Sequence, residues 1–220
     1  MGKTAIIFGV TGLTGSKVLS ELVKTKEYSK IVAITRKTIP VAGDKIQLIV
    51  DDFSDIQSLI KFIKGDEIFC CLGTTLKKAG SKNAFLKTDF DLQYKLAVEG
   101  RRNGVNAFYL ISSLGANSKS FNYYLKTKGR LEEAIVDLKF DKTVIFRPSL
   151  LLGKRKEFRL GENISKIIFT SVGWLFIGPL KKYKAIQAEI LAKSMISAVK
   201  LETGIHTFES DKIKLLAKDL

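Results

Sequence analysis

At 220 residues, 45% of them apolar and only three of them proline, the chain is long enough for one large core and reads as a single domain, residues 1–220. Its net charge of +15 would suit nucleic acid, an anionic membrane surface or an anionic ligand, but the lysines are scattered and no cluster is interleaved with stacking aromatics, so no nucleic-acid module is expected. One histidine and two adjacent cysteines, Cys70 and Cys71, exclude a zinc site and a disulfide framework, and the cysteines read as buried reduced thiols of a cytoplasmic protein.

A short apolar run, Ala5-Ile6-Ile7-Phe8, predicts a buried parallel strand. The strand is expected to begin at Thr4, so no signal peptide is expected. It breaks at Gly9 and passes through Thr11, Gly12, Leu13 and Thr14 to Gly15. Val18, Leu19, Leu22 and Val23 then share one helical face. Strand, glycine turn and helix N-terminus make a phosphate cradle, because backbone N–H groups approach a pyrophosphate and the helix end adds partial positive charge. The spacing is Gly-x-x-Gly-x-x-Gly rather than the commoner Gly-x-Gly-x-x-Gly. Its place between a buried strand and a helix favours a dinucleotide over a purely structural turn.

The helix, Thr14 to Lys26, leads to a second strand, Lys30 to Thr35, with Arg36 and Lys37 at its end. An acid here would bond the adenosine ribose of NAD, whereas a cation matches the 2′-phosphate of NADP, and arginine does so bidentately. A third strand, Lys45 to Val50, ends in Asp51-Asp52-Phe53, where a carboxylate suits the adenine amino group; Asp55 reads as a first-turn acid of a helix reaching Ile63. The fourth strand, Glu67 to Leu72, runs into Gly73, which permits close approach along the nicotinamide side. A long helix from Phe85 to Asn103 follows. The fifth strand, Ala107 to Ile111, ends in Ser112-Ser113. After a loop comes a helix with Tyr124 and Lys128, then a sixth strand, Lys142 to Phe146. This alternation predicts an α/β fold, a Rossmann-like doubly wound parallel sheet with helices on both faces.

After Pro148 the alternation stops. Residues 149–220 are expected to form a small C-terminal substrate-capping lobe, with a helix over Ala185–Leu201, a short edge strand over His206–Glu209 and a last helix from Lys212. The apolar window Ile164–Leu180 is marginal for a membrane span, so no transmembrane segment is expected, while peripheral membrane contact and a protein partner stay open.

Tyr124 and Lys128 stand four apart and share a helical face. In so lysine-rich a chain the spacing alone says little; the weight comes from its place after the fifth strand, beyond Ser112-Ser113. Hydride transfer to a carbonyl leaves an alkoxide that needs a proton. A phenol, with an ordinary pKa of about 10, supplies it more readily beside a lysine cation. Lys128 also suits the nicotinamide ribose, and a serine hydroxyl, Ser112 or Ser113, orients the carbonyl oxygen. His206 lacks a nucleophile elbow, which argues against Ser–His–Asp hydrolysis.

These residues together resemble the atypical short-chain dehydrogenase/reductases, in particular the Tat-interacting-protein type of oxidoreductase. The glycine motif 9–15 is shared widely. Narrower matches are IFCCLGTTLKKAG at 68–80 with Thr88-Asp89 and Asp91, ISSLGANSKSFNYYLKTKGRLE at 111–132, and LKFDKTVIFRPSLLLGKR at 138–155. The resemblance implies NADP(H) binding in preference to NAD(H). The glycine turn would hold the pyrophosphate, Arg36 and Lys37 the 2′-phosphate, with Asp52 near adenine. Leu72 and Gly73 would lie along the cofactor, Tyr124 would be the acid/base and Lys128 the ribose-binding cation. Leu151 and Arg159 would line the site near the nicotinamide or phosphates. The leading expectation is hydride transfer to or from a small carbonyl or alcohol. The alternative is a non-catalytic NADP(H)-binding regulatory protein. A nucleotide-sugar epimerase or dehydratase fits less well, because such enzymes carry a larger substrate lobe.

Overall fold

A computed structural model describes residues 2–41, 43–153 and 178–218. The strands are β1 (Lys3–Phe8), β2 (Tyr28–Thr35), β3 (Ile46–Val50), β4 (Glu67–Cys70), β5 (Ala107–Ile111), β6 (Lys142–Arg147), β7 (Leu151–Leu152), β8 (Ile186–Gln187) and β9 (Gly204–Glu209). The helices are α1 (Leu13–Lys24), α2 (Ile56–Leu59), α3 (Leu76–Ala79), α4 (Lys82–Leu86), α5 (Gln93–Arg102), α6 (Tyr123–Asp137), α7 (Ala188–Ser197) and α8 (Ser210–Leu216).

Seven strands form one sheet in the order β3-β2-β1-β4-β5-β6-β9, with every neighbouring pair parallel. The strand order reverses at β1. The chain first moves outward to β2 and β3, then returns to lay β4 on the other side of β1, with Ile6 opposite both Val32 and Ile68. Ligands of doubly wound sheets bind in the crevice that such a reversal opens at the carboxyl ends of the strands.

Side chains alternate across each strand, so β1 feeds two cores. Ala5 and Ile7 enter one that contains Val18, Leu19 and Leu22 of α1 with Leu191, Ala192 and Met195 of α7. Ile6 and Phe8 enter the other, with Leu59 of α2, Leu96 and Ala97 of α5, and Leu131 and Ile135 of α6. Burial of these apolar side chains contributes about 25 cal/mol per Å² of apolar surface.

The expected helix over Phe85–Asn103 is not one regular α-helix. It begins earlier, at Lys82, and a π-turn at Lys87–Leu92 separates α4 from α5. Asp55 is the N-cap of α2, where its carboxylate accepts from the Gln57 N–H at 2.9 Å, rather than a residue of the first turn. The edge strand starts at Gly204 and pairs with β6 up to Arg147↔Glu209. β9 and α7 therefore join the main sheet and its core. Of the expected capping lobe, residues 154–177, 219 and 220 lie outside the described residues.

At the amino edge of the sheet the buried Glu67 carboxylate accepts from the hydroxyls of Tyr28 and Tyr109, the latter at 3.3 Å, and pairs with Lys3 at 2.9 Å. Burial, followed by the charge of Glu67, pushes both phenols above their ordinary value. They remain donors, which satisfies the carboxylate.

Candidate functional site

The glycine turn sits at the reversal point. Gly9 has φ +84°, and a Cβ there would stand 2.6 Å from the Cys71 carbonyl oxygen, so the chain leaving β1 passes against the chain leaving β4. A Cβ on Gly15 would fall 2.1 Å from the Gly9 carbonyl oxygen. The Gly12 N–H donates back to that oxygen at 2.9 Å. Gly12 then caps α1 with no side-chain hydrogen bond, and no acid occupies the first turn. The N-terminal N–H groups of α1 thus lack a side-chain cap, which is the arrangement that receives an anion. Thr11 is exposed, Leu13 half-buried and Thr14 buried.

Arg36 and Lys37 are exposed at the carboxyl end of β2, and neither side chain makes a hydrogen bond or ion pair among the described residues. Asp52 is exposed beyond β3. Its carboxylate accepts from the Ser54 N–H at 2.8 Å, and hydrogen bonding from the Ser54 hydroxyl and then its backbone holds it below its ordinary pKa. Asp51 instead accepts from the Phe53 N–H at 2.7 Å.

Beyond β4, Leu72 is half-buried, and Gly73 lies over a buried ion pair. A Cβ on Gly73 would stand 3.6 Å from Asp89 Oδ1 and 3.7 Å from Lys128 Nζ. Lys128 Nζ is 2.7 Å from Asp89 Oδ1, and both side chains are almost wholly buried. Asp89 Oδ2 accepts from the Thr74 N–H at 2.8 Å. Burial opposes the charge on Lys128, but the Asp89 carboxylate and then the Tyr124 phenol outweigh it and hold the ammonium above its ordinary value. Asp89 was not among the expected site residues. It lies on the buried stripe with Phe85 and Gln93, and a carboxylate at such a position requires a cation. That was the available signal.

Tyr124 is half-buried in the first turn of α6, its ring packed on Phe85 with centroids 5.5 Å apart. Asn122 starts this helix by accepting the Leu125 N–H at 3.2 Å. The two serines differ. Ser112 is buried, and its hydroxyl has no partner among the described residues, although its N–H continues the sheet by donating to Phe146. The Ser113 hydroxyl bonds to the Leu114 carbonyl at 3.4 Å. A buried orphan hydroxyl at the carboxyl edge of β5 is the group that a ligand oxygen would satisfy. Leu151 is half-buried on β7, opposite Ile186. Arg159 lies outside the described residues. Among the described residues there is no cluster of potential metal ligands, and no helix long and apolar enough to cross a membrane.

The geometry agrees with relationships in sequence and structure. Residues 5–169 match the NAD dependent epimerase/dehydratase family. The chain is 37% identical over 199 residues to "Protein FMP52, mitochondrial" of Meyerozyma guilliermondii, covering 89% of this chain and 85% of that protein. It is 35% identical over 174 residues to Protein HTATIP2 of Rattus norvegicus, covering 77% and 72%. In structure it is similar to the UDP-Glc/GlcNAc 4-epimerase of Campylobacter jejuni, with a TM-score of 0.73 over 99% of this chain and 82% of that one, at 15% identity. The relatives also correct the expected cytoplasmic location, since the yeast proteins bear "mitochondrial" in their names. The matched stretch runs from the glycine turn through Asp89, Ser112, Tyr124 and Lys128, and the chain belongs to the NAD dependent epimerase/dehydratase family, among its atypical short-chain dehydrogenase/reductase members.

Proposed function

We propose that this chain is an NADP(H)-dependent reductase of a small carbonyl compound, or in the reverse direction a dehydrogenase of the alcohol, and that it works in the mitochondrion. The observation that carries the reading is the convergence, on the carboxyl edge of the sheet, of an anion-ready glycine turn, the Lys128 ammonium beneath Gly73 and the unpartnered Ser112 hydroxyl.

The glycine turn and the first N–H groups of α1 hold the pyrophosphate. Arg36 and Lys37 hold the 2′-phosphate, because both cations are exposed and unengaged among the described residues. Asp52 receives the adenine amino group, and Leu72, Gly73 and Leu151 line the cofactor. The bound dinucleotide supplies the hydride. Ser112 donates to the substrate oxygen, and its lack of another partner favours it over Ser113. Tyr124 gives that oxygen its proton. Lys128, fixed by Asp89, supports the phenolate left behind and the nicotinamide ribose.

The test is titration of the purified protein with NADPH and NADH, followed by nicotinamide fluorescence, and then NADPH oxidation across a panel of aldehydes and ketones. Tighter NADPH binding with turnover of a panel member supports the proposal. Binding without turnover across the panel overturns the reductase and leaves a cofactor-binding protein.

A further inference from the structure

The loop before α6 presents the most exposed large apolar side chain among the described residues. Phe121 is fully exposed. The loop that carries it is not slack. Asn117 Oδ1 accepts from the Lys119 N–H at 2.8 Å, and the Asn117 carbonyl accepts from the Ser120 N–H at 3.0 Å. Ser120 Oγ accepts from the Asn122 N–H at 3.1 Å, and the Asn117 N–H donates to the Leu125 carbonyl at 3.1 Å. Bonds on both sides of Phe121 hold the ring out in water. A ring held fully hydrated keeps its whole apolar surface available for transfer into an apolar medium outside the molecule.

The surroundings say which medium. Tyr123 donates to the Lys82 carbonyl at 3.3 Å, and the Lys82 ammonium lies 5.4 Å from its ring centroid. Lys82, Lys119 and Lys126 are all exposed, and none makes an ion pair among the described residues. Residues 117–126, NSKSFNYYLK, contain no acid. The acid that touches the loop, Glu133, accepts from the Ser118 hydroxyl at 2.5 Å. The result is a projecting phenyl ring, an aromatic of amphipathic character behind it, and cations around both. A projecting tip suits insertion into a deformable layer rather than reception of a side chain, and the cations suit lipid phosphates.

We propose that the 117–122 loop, with Lys126 in the first turn of α6 and Lys82 in the first turn of α4, forms a docking surface for an anionic lipid bilayer. Phe121 enters the boundary between headgroups and acyl chains, and Lys82, Lys119 and Lys126 lie against the headgroups. This surface is independent of any turnover at Tyr124.

The test is co-sedimentation of the full chain with vesicles of phosphatidylcholine alone and of phosphatidylcholine with about a third phosphatidylserine. The protein is expected to pellet with the anionic vesicles and to be released by raised salt. Phe121→Ser is expected to weaken partitioning about tenfold, and the Lys119→Gln/Lys126→Gln pair about fivefold per lysine. Phe121→Trp, which keeps the anchor, is expected to bind at least as well as the wild type and to shift its emission to the blue on binding. Both loop variants are exposed, so unchanged circular dichroism and thermal midpoint are expected. Failure to bind anionic vesicles overturns the proposal. So does equal binding to neutral vesicles, or binding indifferent to Phe121→Ser, either of which assigns the basic face to something other than this docking mode.

Discussion

Lys128 and Asp89 meet at 2.7 Å in the protein interior, one from α6 and the other from the π-turn between α4 and α5. The π-turn is the local feature that accompanies this meeting. Such turns inside helices are frequent at functional sites.

A buried ion pair broken on one side leaves a charge without a partner. Asp89→Asn is therefore expected to destabilise the protein by about 3–5 kcal/mol and to lower its thermal midpoint by roughly 10 °C, measured by calorimetry. Asp89→Leu combined with Lys128→Met, which removes both charges, is expected to regain most of that loss. The pH dependence has a definite sign. Lys128 is held above its ordinary value of 10.5, so the contribution of the pair is complete below that value and is lost as pH rises through the higher folded value. An alkaline unfolding limb present in the wild type and flattened in the double variant is the expected record.

Two glycines of the site respond differently to one added methyl group. At Gly15 it collides with backbone 2.1 Å away, so Gly15→Ala is expected to displace the turn and destabilise the fold by several kcal/mol. At Gly73 it meets Asp89 and Lys128 at 3.6 and 3.7 Å, ordinary contact distances. Gly73→Ala is expected to fold with near-normal stability while weakening dinucleotide affinity. Denaturant titration beside a cofactor titration separates the two.

Arg36→Ala is expected to weaken NADPH binding by about tenfold or more, the scale of a lost charge-assisted bidentate contact, and to leave NADH binding nearly unchanged. Equal losses for both nucleotides in a fluorescence titration would remove Arg36 from cofactor selection.

Tyr124→Phe deletes the proton donor and keeps the ring against Phe85. Turnover on any substrate found is expected to fall by about 100-fold or more, with cofactor affinity within a few-fold of wild type. Retained turnover would place the proton elsewhere.

The adjacent cysteines provide a control. Cys70 is buried as expected and its thiol is pushed up to about 12, whereas Cys71 is only half-buried, contrary to expectation, though burial still raises its thiol well above the ordinary value. Neither is expected to react with a thiol reagent near neutral pH until the protein unfolds, because the thiolate is the reactive form. Titration with and without denaturant reads this directly.

The strands were legible because each of the first six is a short apolar run bounded by a turn, and the parallel order followed from their alternation with helices. β5 fell on its predicted residues. The features that escaped prediction depend on distant partners. A π-turn widens one helical turn without changing which residues are apolar, so the pattern over 85–103 read as continuous helix. The Glu67 cluster joins residues from β1, β2, β4 and β5, and no local spacing reveals it. The two-residue ladder of β7 and β8 is too short to leave a periodicity. At the site, the glycine turn and the tyrosine–lysine spacing could be read directly. Which serine lacks a partner could not, because that depends on the surroundings of each hydroxyl.

The packing of α1 beneath α7 ties the beginning of the sequence to its far end. Val18, Leu19 and Leu22 are sealed by Leu191, Ala192 and Met195, and β9 closes the sheet beside β6. During synthesis the glycine turn can form early, but the apolar underside of its helix stays uncovered until residues 188–197 emerge. A nascent chain halted short of that point presents bare hydrophobic surface, and its nucleotide cradle rests on a helix with no floor. Contacts this distant in sequence delay folding. The interval gives chaperones a defined surface to hold.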